Sequence, residues 1–487
     1  MTLFRAAEAA AITGGQLTAG DPMAPISGVT TDSRQVSPGD LFVAVVGRQH
    51  DGHAFLSAAR RAGATVALVG RVTEQPPGLT LVRVTDPVAA MGMLAANHRR
   101  RFDLPVVGIT GSVGKTAVKD LTGGVLGQDY RVLLTEGNLN TEIGVPLTLF
   151  RLTGRHEVAV LEMAMRGLGQ IAVLADMALP RVGVITNVGE AHLELLGSID
   201  RIATAKAELL AALPPEGVAV VNADNAWTRR MAEAHPGPTI RFGYAPDALV
   251  TACDLENRAG EGTRWRLVVR EWGWPRRCLG RTTGRWPPGP AEQEIRLPLP
   301  GRHQVENALA AAAVGLLFGI GLEAIARGLE AAPRTGMRLA IRRLGDITVI
   351  DDTYNASPAS VRAALRTLRE VAGAGRAIAV LGDMLELGSE SGEAHRRVGT
   401  ACGGLQGLIT LGDRACDIAA AARAAGLRAV TVCRRPEEAL TALSAMVRAG
   451  DAVLFKGSRG MCMERLLADF LAGREGGPEA DSREHSG

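Results

Sequence analysis

Residues 105–116 read Pro-Val-Val-Gly-Ile-Thr-Gly-Ser-Val-Gly-Lys-Thr, an apolar run followed by glycines and a Lys-Thr pair. The apolar run predicts a strand, and the Lys-Thr pair predicts the first turn of a helix. A glycine-rich loop between a strand and a helix N-terminus turns backbone N–H groups toward an anion. We therefore predict a nucleotide here, with the lysine on its outer phosphates and the threonine hydroxyl on Mg²⁺. The predicted binding residues are Gly111, Ser112, Val113, Gly114, Lys115 and Thr116.

This loop departs from the strict phosphate-loop pattern GxxxxGK[ST], which requires glycine at position 109, where the chain has Ile109. Its glycines are Gly108, Gly111 and Gly114. A glycine-rich turn without a nucleotide is the alternative that such a loose match leaves open. The strand before the loop and the Gly-Lys-Thr at its end favour nucleotide binding.

Lysine is rare in this chain, which has only four among its 54 lysines and arginines. They are Lys115, Lys119, Lys206 and Lys456. Arginine cannot replace lysine where a compact point charge, or an amine that can lose its proton, is required. Lys115 ends the loop and Lys119 follows one helical turn later, whereas the other two lie in further candidate sites. The retained lysines therefore indicate where the chemistry takes place.

A second candidate cluster follows two other predicted strands. Glu162 comes directly after the apolar run 158–161, and His192 ends the segment Thr186-Asn-Val-Gly-Glu-Ala-His192 after the next run. Sites in α/β proteins form at the carboxyl ends of strands. Mg²⁺ prefers oxygen ligands, so Thr116 and Glu162 are predicted metal ligands. His192 is a less typical third candidate, and a hydrogen-bonded structural histidine is the alternative.

Lys206 lies on a predicted helix that begins near Ser198. A surface lysine with its ammonium in water is the alternative interpretation. The scarcity of lysine elsewhere favours a function, because burial lowers the pKa of a lysine and a neutral amine can add CO₂. The resulting carbamate is an anion that arginine cannot supply. Lys206, Lys115 and His192 are therefore the predicted catalytic residues.

Polar residues also follow apolar runs in the last third of the chain, in Asp351-Asp-Thr-Tyr-Asn355 and in Lys456-Gly-Ser-Arg459. Clustered carboxylates suit a ribose or Mg²⁺, although a turn before a helix cap at Ser357 is the alternative. The two cations of the second segment suit a carboxylate or phosphate ligand. Asn307, on the predicted helix 303–318, could bind adenine or simply face solvent.

Composition limits the class of protein. Of 487 residues, 46% are hydrophobic and 22% charged, which is typical of a globular enzyme with more than one domain. A net charge of +3 and an aromatic content of 3% argue against nucleic-acid binding. The six cysteines form no CxxC pair, which favours reduced thiols, and no apolar run is long enough to span a membrane. We expect a cytoplasmic monomer.

Alternation of apolar runs with helical stretches predicts a three-domain α/β protein: a central phosphate-loop ATPase with a parallel sheet, an N-terminal α/β domain and a C-terminal Rossmann-like domain. The predicted domains are 1–100, 101–333 and 334–472, followed by a disordered tail at 473–487. The charged stretch His98–Asp103 predicts a linker. Residues 245–300, rich in tryptophan, arginine and turn residues, predict an antiparallel excursion.

The motifs along residues 2–472 resemble those of the Mur ligase family, whose loop also lacks the first glycine of the strict pattern. In the first domain the resemblance is carried by Thr31–Arg34, Gly39–Phe42 and Asp51–His53. In the second it is carried by Thr110–Thr116, Gly137–Asn140, Ile143–Pro146, Glu162-Met163, Thr186–His192, Ala205–Glu208 and Arg302–Asn307. In the third it is carried by Asp352–Asn355, Gly382–Gly388 and Lys456–Arg459.

The resemblance implies an ATP-dependent ligase that forms an amide through an acyl phosphate. It implies an N-terminal domain that holds the UDP end of a substrate and a C-terminal domain that closes over ATP. The implied ligand residues are Thr116, Glu162 and His192 at Mg²⁺, Lys206 as a carbamate, Asn307 on adenine and Asp352 near the ribose. The implied substrate contacts are Ser33, Arg34, Asn138, Asn140, Tyr354, Asn355, Lys456, Ser458 and Arg459.

Within the family, Gly382-Asp-Met-Leu-Glu-Leu-Gly388 favours the members that add D-Ala-D-Ala to UDP-N-acetylmuramoyl-tripeptide in peptidoglycan precursor synthesis. The ligase that acts one step earlier carries a different segment at this position, similar to Asp-Asn-Pro-Arg. Another ligase of the family, such as the diamino-acid-adding enzyme, and a phosphate-loop binding protein without ligase chemistry are the alternatives. Thr141, Ala117 and Gln170 depart from the family pattern, in which asparagine, a hydroxyl residue and an acid are common at these positions.

Overall fold

The computed structural model describes residues 2–47, 49–258, 262–270, 279, 290–332 and 336–475. Three large sheets, each flanked by helices, follow one another along the chain. The predicted three-domain α/β architecture is therefore confirmed.

The N-terminal domain has a five-stranded sheet in the order β2-β7-β6-β5-β4, in which only β2 runs antiparallel to its neighbour. β5 and β6 are buried along their whole length, as expected for central strands with helices nearby. The strands are β1 (Phe4–Arg5), β2 (Gln16–Ala19), β3 (Pro25–Ile26), β4 (Gly28–Thr30), β5 (Asp40–Val43), β6 (Val66–Val69) and β7 (Thr80–Arg83). The helices are α1 (Ala6–Thr13), α2 (Leu56–Ala62) and α3 (Pro87–Arg99).

The predicted linker at 98–103 is wrong for its first two residues, which form the end of α3 and are buried. The Arg99 guanidinium donates hydrogen bonds to three carbonyl oxygens, of Ala178, Phe102 and Leu104, at 2.6–2.9 Å. One continuous apolar cluster includes residues of both the first and the central domain. A charged stretch was mistaken for a linker because a buried guanidinium can be satisfied by backbone carbonyls alone.

The central domain has a nine-stranded sheet in the order β16-β15-β14-β13-β12-β11-β8-β10-β9. Its strands are β8 (Val106–Thr110), β9 (Val132–Leu134), β10 (Val158–Glu162), β11 (Val182–Ile185), β12 (Val218–Asn222), β13 (Thr239–Phe242), β14 (Val250–Arg258), β15 (Gly262–Val269) and β16 (Ala291–Leu297). Its helices are α4 (Lys115–Leu126), α5 (Gly144–Leu149), α6 (Gln170–Ala178), α7 (Leu193–Leu196), α8 (Ile199–Ala211), α9 (Ala226–Ala234), α10 (Arg302–Leu317) and α11 (Leu322–Ala331).

Strands β8 to β14 pair in parallel, and β14, β15 and β16 pair in antiparallel fashion. The predicted antiparallel excursion at 245–300 is thus confirmed for the described strands, whereas 259–261, 271–278 and 280–289 lie outside the described residues. β8 lies between β10 and β11, so the loops that follow these three strands meet at one edge of the sheet.

The C-terminal domain has a six-stranded sheet in the order β17-β18-β22-β19-β20-β21, parallel except for β17. Its strands are β17 (Ala340–Leu344), β18 (Ile347–Asp351), β19 (Ala377–Gly382), β20 (Gly407–Leu411), β21 (Val430–Cys433) and β22 (Ala452–Lys456). Its helices are α12 (Pro358–Ala372), α13 (Ser391–Ala401), α14 (Ala415–Ala424), α15 (Pro436–Met446) and α16 (Met463–Glu475). The predicted disordered tail is wrong for residues 473–475, which extend α16, and its remainder lies outside the described residues.

Candidate active site

The glycine-rich loop connects β8 to α4 as predicted, and Asn187 fixes its shape. The Val113 N–H donates to Asn187 Oδ1 at 2.9 Å, and Asn187 Nδ2 donates back to the Val113 carbonyl at 3.1 Å. Gly114 has φ +89°, and a Cβ there would lie 2.5 Å from Asn307 Oδ1. Only glycine satisfies both constraints without strain, so glycine at this position permits the close approach of the loop backbone to Asn307.

Lys115 begins α4, and its Nζ donates to the Gly111 carbonyl at 2.8 Å. Burial lowers the pKa of this ammonium, while the nearby Glu162 carboxylate favours its charged form. Asn307 lies half-buried against the same loop, and its Nδ2 donates to Gln304 Oε1 at 3.0 Å. Asn307 therefore lies at the loop, and its contact with adenine stays a prediction.

Glu162 is almost fully buried at the end of β10, where its two oxygens accept hydrogen bonds from different elements. Thr116 Oγ1 donates to Oε2 and Asn140 Nδ2 to Oε1, both at 2.8 Å. The structure thus brings together the two predicted metal ligands and adds Asn140, which was predicted to contact substrate. Its substrate contact stays a prediction.

Lys119 stabilises this cluster through Thr135. Lys119 is buried, and its Nζ donates to the Thr135 carbonyl at 2.8 Å and pairs with Asp120 at 2.7 Å. The Thr135 hydroxyl in turn accepts the Glu162 N–H at 3.0 Å. Lys119 therefore fixes Thr135, which holds the end of β10. This structural contact explains why lysine is retained at position 119 without a direct role in the chemistry.

Lys206 is buried on α8, with 2% of its surface exposed. The structure gives its Nζ no hydrogen-bond or ion-pair partner among the residues it describes. Desolvation, and then the charge of Lys115, lower its pKa well below the ordinary value. The surface-lysine alternative is therefore wrong, and the amine is held in a state that favours its neutral form.

His192 precedes α7 and lies within electrostatic reach of Lys115 and Lys206. Burial lowers its pKa, and the charges of Lys115 and Lys206 contribute in the same direction. Its Nδ1 lies 2.8 Å from Oε2 of Glu386, a residue of the C-terminal domain. The charge of Glu162 acts on Lys115, and the charges of Lys115 and Lys206 act on His192. Positions 115, 162, 192 and 206 therefore lie in one neighbourhood.

In the C-terminal domain, Asp352 and Lys456 form a buried pair with 2.6 Å between Oδ2 and Nζ. Burial raises the pKa of Asp352, which Lys456 opposes. Lys456 also donates to the Asn355 carbonyl at 2.8 Å. The alternative proposed for this segment is present as well, because Ser357 caps α12.

The other predicted substrate residues are not part of this buried pair and lie in the C-terminal, N-terminal and central domains. Arg459 pairs with Glu464 at 2.8 Å, and the Ser458 hydroxyl accepts the Leu385 N–H at 2.8 Å. In the N-terminal domain, the exposed Arg34 pairs with Asp32 at 2.7 Å. Ser33 is half-buried and Asn138 is exposed. The substrate contacts of these residues stay predictions.

Arg338 was missed from the sequence, yet it links the two halves of the site. Its guanidinium lies 4.0 Å from the centre of the Tyr354 ring, and its charge lowers the pKa of both Lys115 and Asp352. Its neighbours Met337 and Leu339 adopt positive φ values of 61° and 52°. In a chain with so many arginines, residue type alone gave no signal.

The donor chemistry of this cluster fits Mg²⁺. The Thr116 hydroxyl and the Glu162 carboxylate offer oxygen ligands side by side, and Mg²⁺ is usually held by one or two protein groups together with substrate phosphates and water. Within the described ranges, no group of three or more His, Cys, Asp or Glu side chains could hold a metal. The geometry therefore suits a nucleotide-borne magnesium rather than an all-protein metal site.

Comparison with known proteins identifies the family. The chain is 37% identical over 452 residues to the UDP-N-acetylmuramoyl-tripeptide--D-alanyl-D-alanine ligase of Synechocystis, covering 92% of each chain. The chain belongs to the Mur ligase family. Family models match at 25–99 (Mur ligase family, catalytic domain), 109–315 (Mur ligase middle domain) and 337–459 (Mur ligase, glutamate ligase domain).

Solved Mur ligases agree with this assignment. The crystal structure of MurF from Acinetobacter baumannii superimposes with a TM-score of 0.84 at 32% identity, covering 96% of this chain and 99% of that one. The MurF ligase of Thermotoga maritima in complex with ADP gives 0.78 at 29% identity, with 92% and 98% covered. The Escherichia coli ligase with the same name as the Synechocystis one is 35% identical over 403 residues, or 81% and 83% of the two chains. No helix in the described part of this Mur ligase is long and apolar enough to cross a membrane.

Proposed function

We propose that this Mur ligase is an ATP-dependent enzyme that joins D-Ala-D-Ala to UDP-N-acetylmuramoyl-tripeptide in peptidoglycan precursor synthesis. Two similar proteins named UDP-N-acetylmuramoyl-tripeptide--D-alanyl-D-alanine ligase, from Synechocystis and Bacillus subtilis, each match 92% of this chain. The observation that carries the proposal is the grouping of the phosphate loop, the Thr116–Glu162 pair and Lys206, whose amine has no partner among the described residues. Nucleotide binding alone does not account for a buried amine that has no partner in the described part of the chain.

The reaction has to convert a carboxylate, which is a poor electrophile, into an activated acyl group. The tripeptide carboxylate attacks the γ-phosphorus of ATP, giving an acyl phosphate and ADP. The amine of D-Ala-D-Ala then attacks the acyl carbon and loses a proton, and the tetrahedral intermediate expels phosphate. Catalysis of such transfers rests mainly on positioning and electrostatic stabilisation.

Each group in the site has a part in that scheme. Lys115 and the loop N–H groups bind the transferring phosphoryl group, and Arg338 adds a second positive charge on the C-terminal side. Thr116 and Glu162 would hold Mg²⁺, with His192 as a further ligand. Bound Mg²⁺ would neutralise charge on the phosphates.

Lys206 acts in this proposal as a carbamate. Its neutral amine adds CO₂ and releases one proton, which turns a buried neutral group into an anion. Next to Lys115 and a magnesium ion, an anion removes the repulsion that disfavours the protonated lysine. Asn307 contacts adenine and Asp352 the ribose, and the substrate positions named from the sequence contact UDP-N-acetylmuramoyl-tripeptide or D-Ala-D-Ala.

We also infer that the enzyme acts as a cytoplasmic monomer. Five cysteines in the described part of the chain are free, which supports a reducing compartment. Size-exclusion chromatography with light scattering at micromolar protein concentration tests the monomer, and a stable dimer would refute it.

Isotope transfer tests the proposed chemistry. With ¹⁸O in the tripeptide carboxylate, an acyl phosphate predicts one ¹⁸O atom in the released phosphate, and mass spectrometry should show the tripeptide extended by D-Ala-D-Ala. Extension of the nucleotide without ¹⁸O in the phosphate would refute the acyl phosphate. Extension by a diamino acid instead would assign the chain to another reaction of the family.

A further inference from the structure

The loop that carries His192 contacts the C-terminal domain through a residue to which no role has been given. His192 Nδ1 lies 2.8 Å from Glu386 Oε2, although 194 residues separate them in the chain. Both residues have left-handed backbones, with φ values of 61° and 62°. Such conformations are costly for residues other than glycine and persist only where the surrounding structure imposes them.

Further contacts hold the two loops together around this pair. The Glu194 N–H donates to the Glu386 carbonyl at 3.3 Å. Arg397, on α13, pairs with Glu190 at 2.9 Å. A Cβ on Gly388 would lie 3.1 Å from the Glu194 backbone, so glycine permits the close approach.

The segment that carries Glu386 is held by hydrogen bonds to other residues of the C-terminal domain. The Met384 N–H donates to Nε2 of the buried His395 at 3.0 Å, and the Leu385 N–H donates to the Ser458 hydroxyl at 2.8 Å. The position of Glu386 is therefore set by the C-terminal domain and not by His192.

The chemistry of the pair decides which histidine nitrogen faces the site. A carboxylate only accepts hydrogen bonds, so Nδ1 carries the hydrogen and the lone pair of the neutral ring is on Nε2. No described residue hydrogen-bonds to Nε2. Carboxylates that accept the distal N–H of a metal-binding histidine fix its ring and its tautomer.

We propose that Glu386 is a positioning residue that orients His192 toward the nucleotide-bound metal when the C-terminal domain docks. The inference rests on the proposed function. It makes docking of the third domain a condition for a complete metal site in the second, since the orienting carboxylate and the histidine belong to different domains.

Electron spin-echo spectroscopy of Mn²⁺ with a non-hydrolysable ATP analogue tests this in the full-length enzyme, because a coordinated imidazole gives a ¹⁴N modulation. Wild type should show the modulation and His192→Ala should lack it. Glu386→Ala should lose most of it and need about tenfold more Mg²⁺ for half-maximal phosphate release. Glu386→Gln keeps an acceptor oxygen and should retain the modulation.

Glu393→Ala is the matched control, because Glu393 pairs with Arg396 on the same helix, α13, and should behave as wild type. An unchanged modulation and magnesium requirement in Glu386→Ala would overturn the proposal, as would a wild type without ¹⁴N modulation. A wild type that gives the modulation but releases no phosphate with D-Ala-D-Ala would refute the proposed function and leave the positioning role standing.

Discussion

The Thr116 hydroxyl donates a 2.8 Å hydrogen bond to the Glu162 carboxylate and joins the first turn of α4 to the end of β10. Because β8 and β10 are adjacent, the phosphate loop and this carboxylate occupy one edge of the central sheet. Lys206 reaches the same neighbourhood from α8, and His192 reaches it from the loop before α7.

Removal of the loop cation should abolish turnover. We expect Lys115→Ala to lower kcat by about a hundredfold or more, because the ammonium acts on charge that develops in phosphoryl transfer. Phosphate release at saturating substrates is the measurement. Arg131→Ala, which removes an exposed cation that pairs with Glu157, is a control that should keep wild-type activity. An active Lys115→Ala enzyme would refute the role given to that residue.

The carbamate has a chemical signature of its own. Lys206→Ala should be largely inactive and should recover in part with short carboxylates such as formate or acetate, which can replace the missing anion. With ¹³C-labelled CO₂, wild type should show a carbamate carbonyl resonance that the variant lacks. Full activity of Lys206→Ala without rescue would exclude a carbamate.

Variants of two neighbouring arginines on α13 distinguish an effect on docking of the C-terminal domain from an effect on the stability of the helix. Arg397 pairs across the domain boundary with Glu190, whereas Arg396 pairs with Glu393 within the helix. Arg397→Ala should weaken the docked state and leave a larger radius of gyration in small-angle scattering with a non-hydrolysable ATP analogue and Mg²⁺. Arg396→Ala should scatter as wild type. Identical scattering of the two variants would remove Arg397 from the docking surface.

Glu306, on α10, predicts a dependence of stability on pH. Burial, and then Asp224, raise its pKa from 4.5 to about 7 in the folded chain, against the opposing charges of Arg302 and Arg366. The folded state therefore holds a proton that the unfolded state has lost, so stability falls as pH rises from about 4.5 to about 7. Glu306→Gln removes this loss, and its advantage over wild type should grow by about 2 kcal/mol between pH 5.5 and 8.5.

Urea unfolding followed by the fluorescence of the five tryptophans, all of which lie in the central domain, measures this difference. Glu323→Gln, in the first turn of α11, is the control and should show no such trend. An advantage of Glu306→Gln that is equal at both pH values would contradict the raised pKa.

Local patterns predicted most of the fold and the core of the site. Apolar runs such as 106–110 and 158–161 marked central strands, and polar residues directly after them fell at one sheet edge because parallel strands share their direction. Lysine stood out because arginine supplies the other positive charges. That contrast found Lys115 and Lys206, and the structure explains Lys119 through its contact with Thr135.

What the sequence did not predict depends on contacts between distant segments. Asn187 shapes the phosphate loop from 74 residues away, and Glu386 meets His192 across 194 residues. Arg338 was hidden by the abundance of its own residue type. The linker prediction was wrong at Arg99 because its charge is satisfied by carbonyls that only the folded chain brings near.

The most direct test of the central claim is phosphate release by the purified enzyme with ATP, Mg²⁺ and UDP-N-acetylmuramoyl-tripeptide, compared across candidate amines. We predict release that requires both the tripeptide substrate and D-Ala-D-Ala, with none above background for lysine or meso-diaminopimelate. Release that proceeds with a diamino acid, or that needs no amine, would contradict the account.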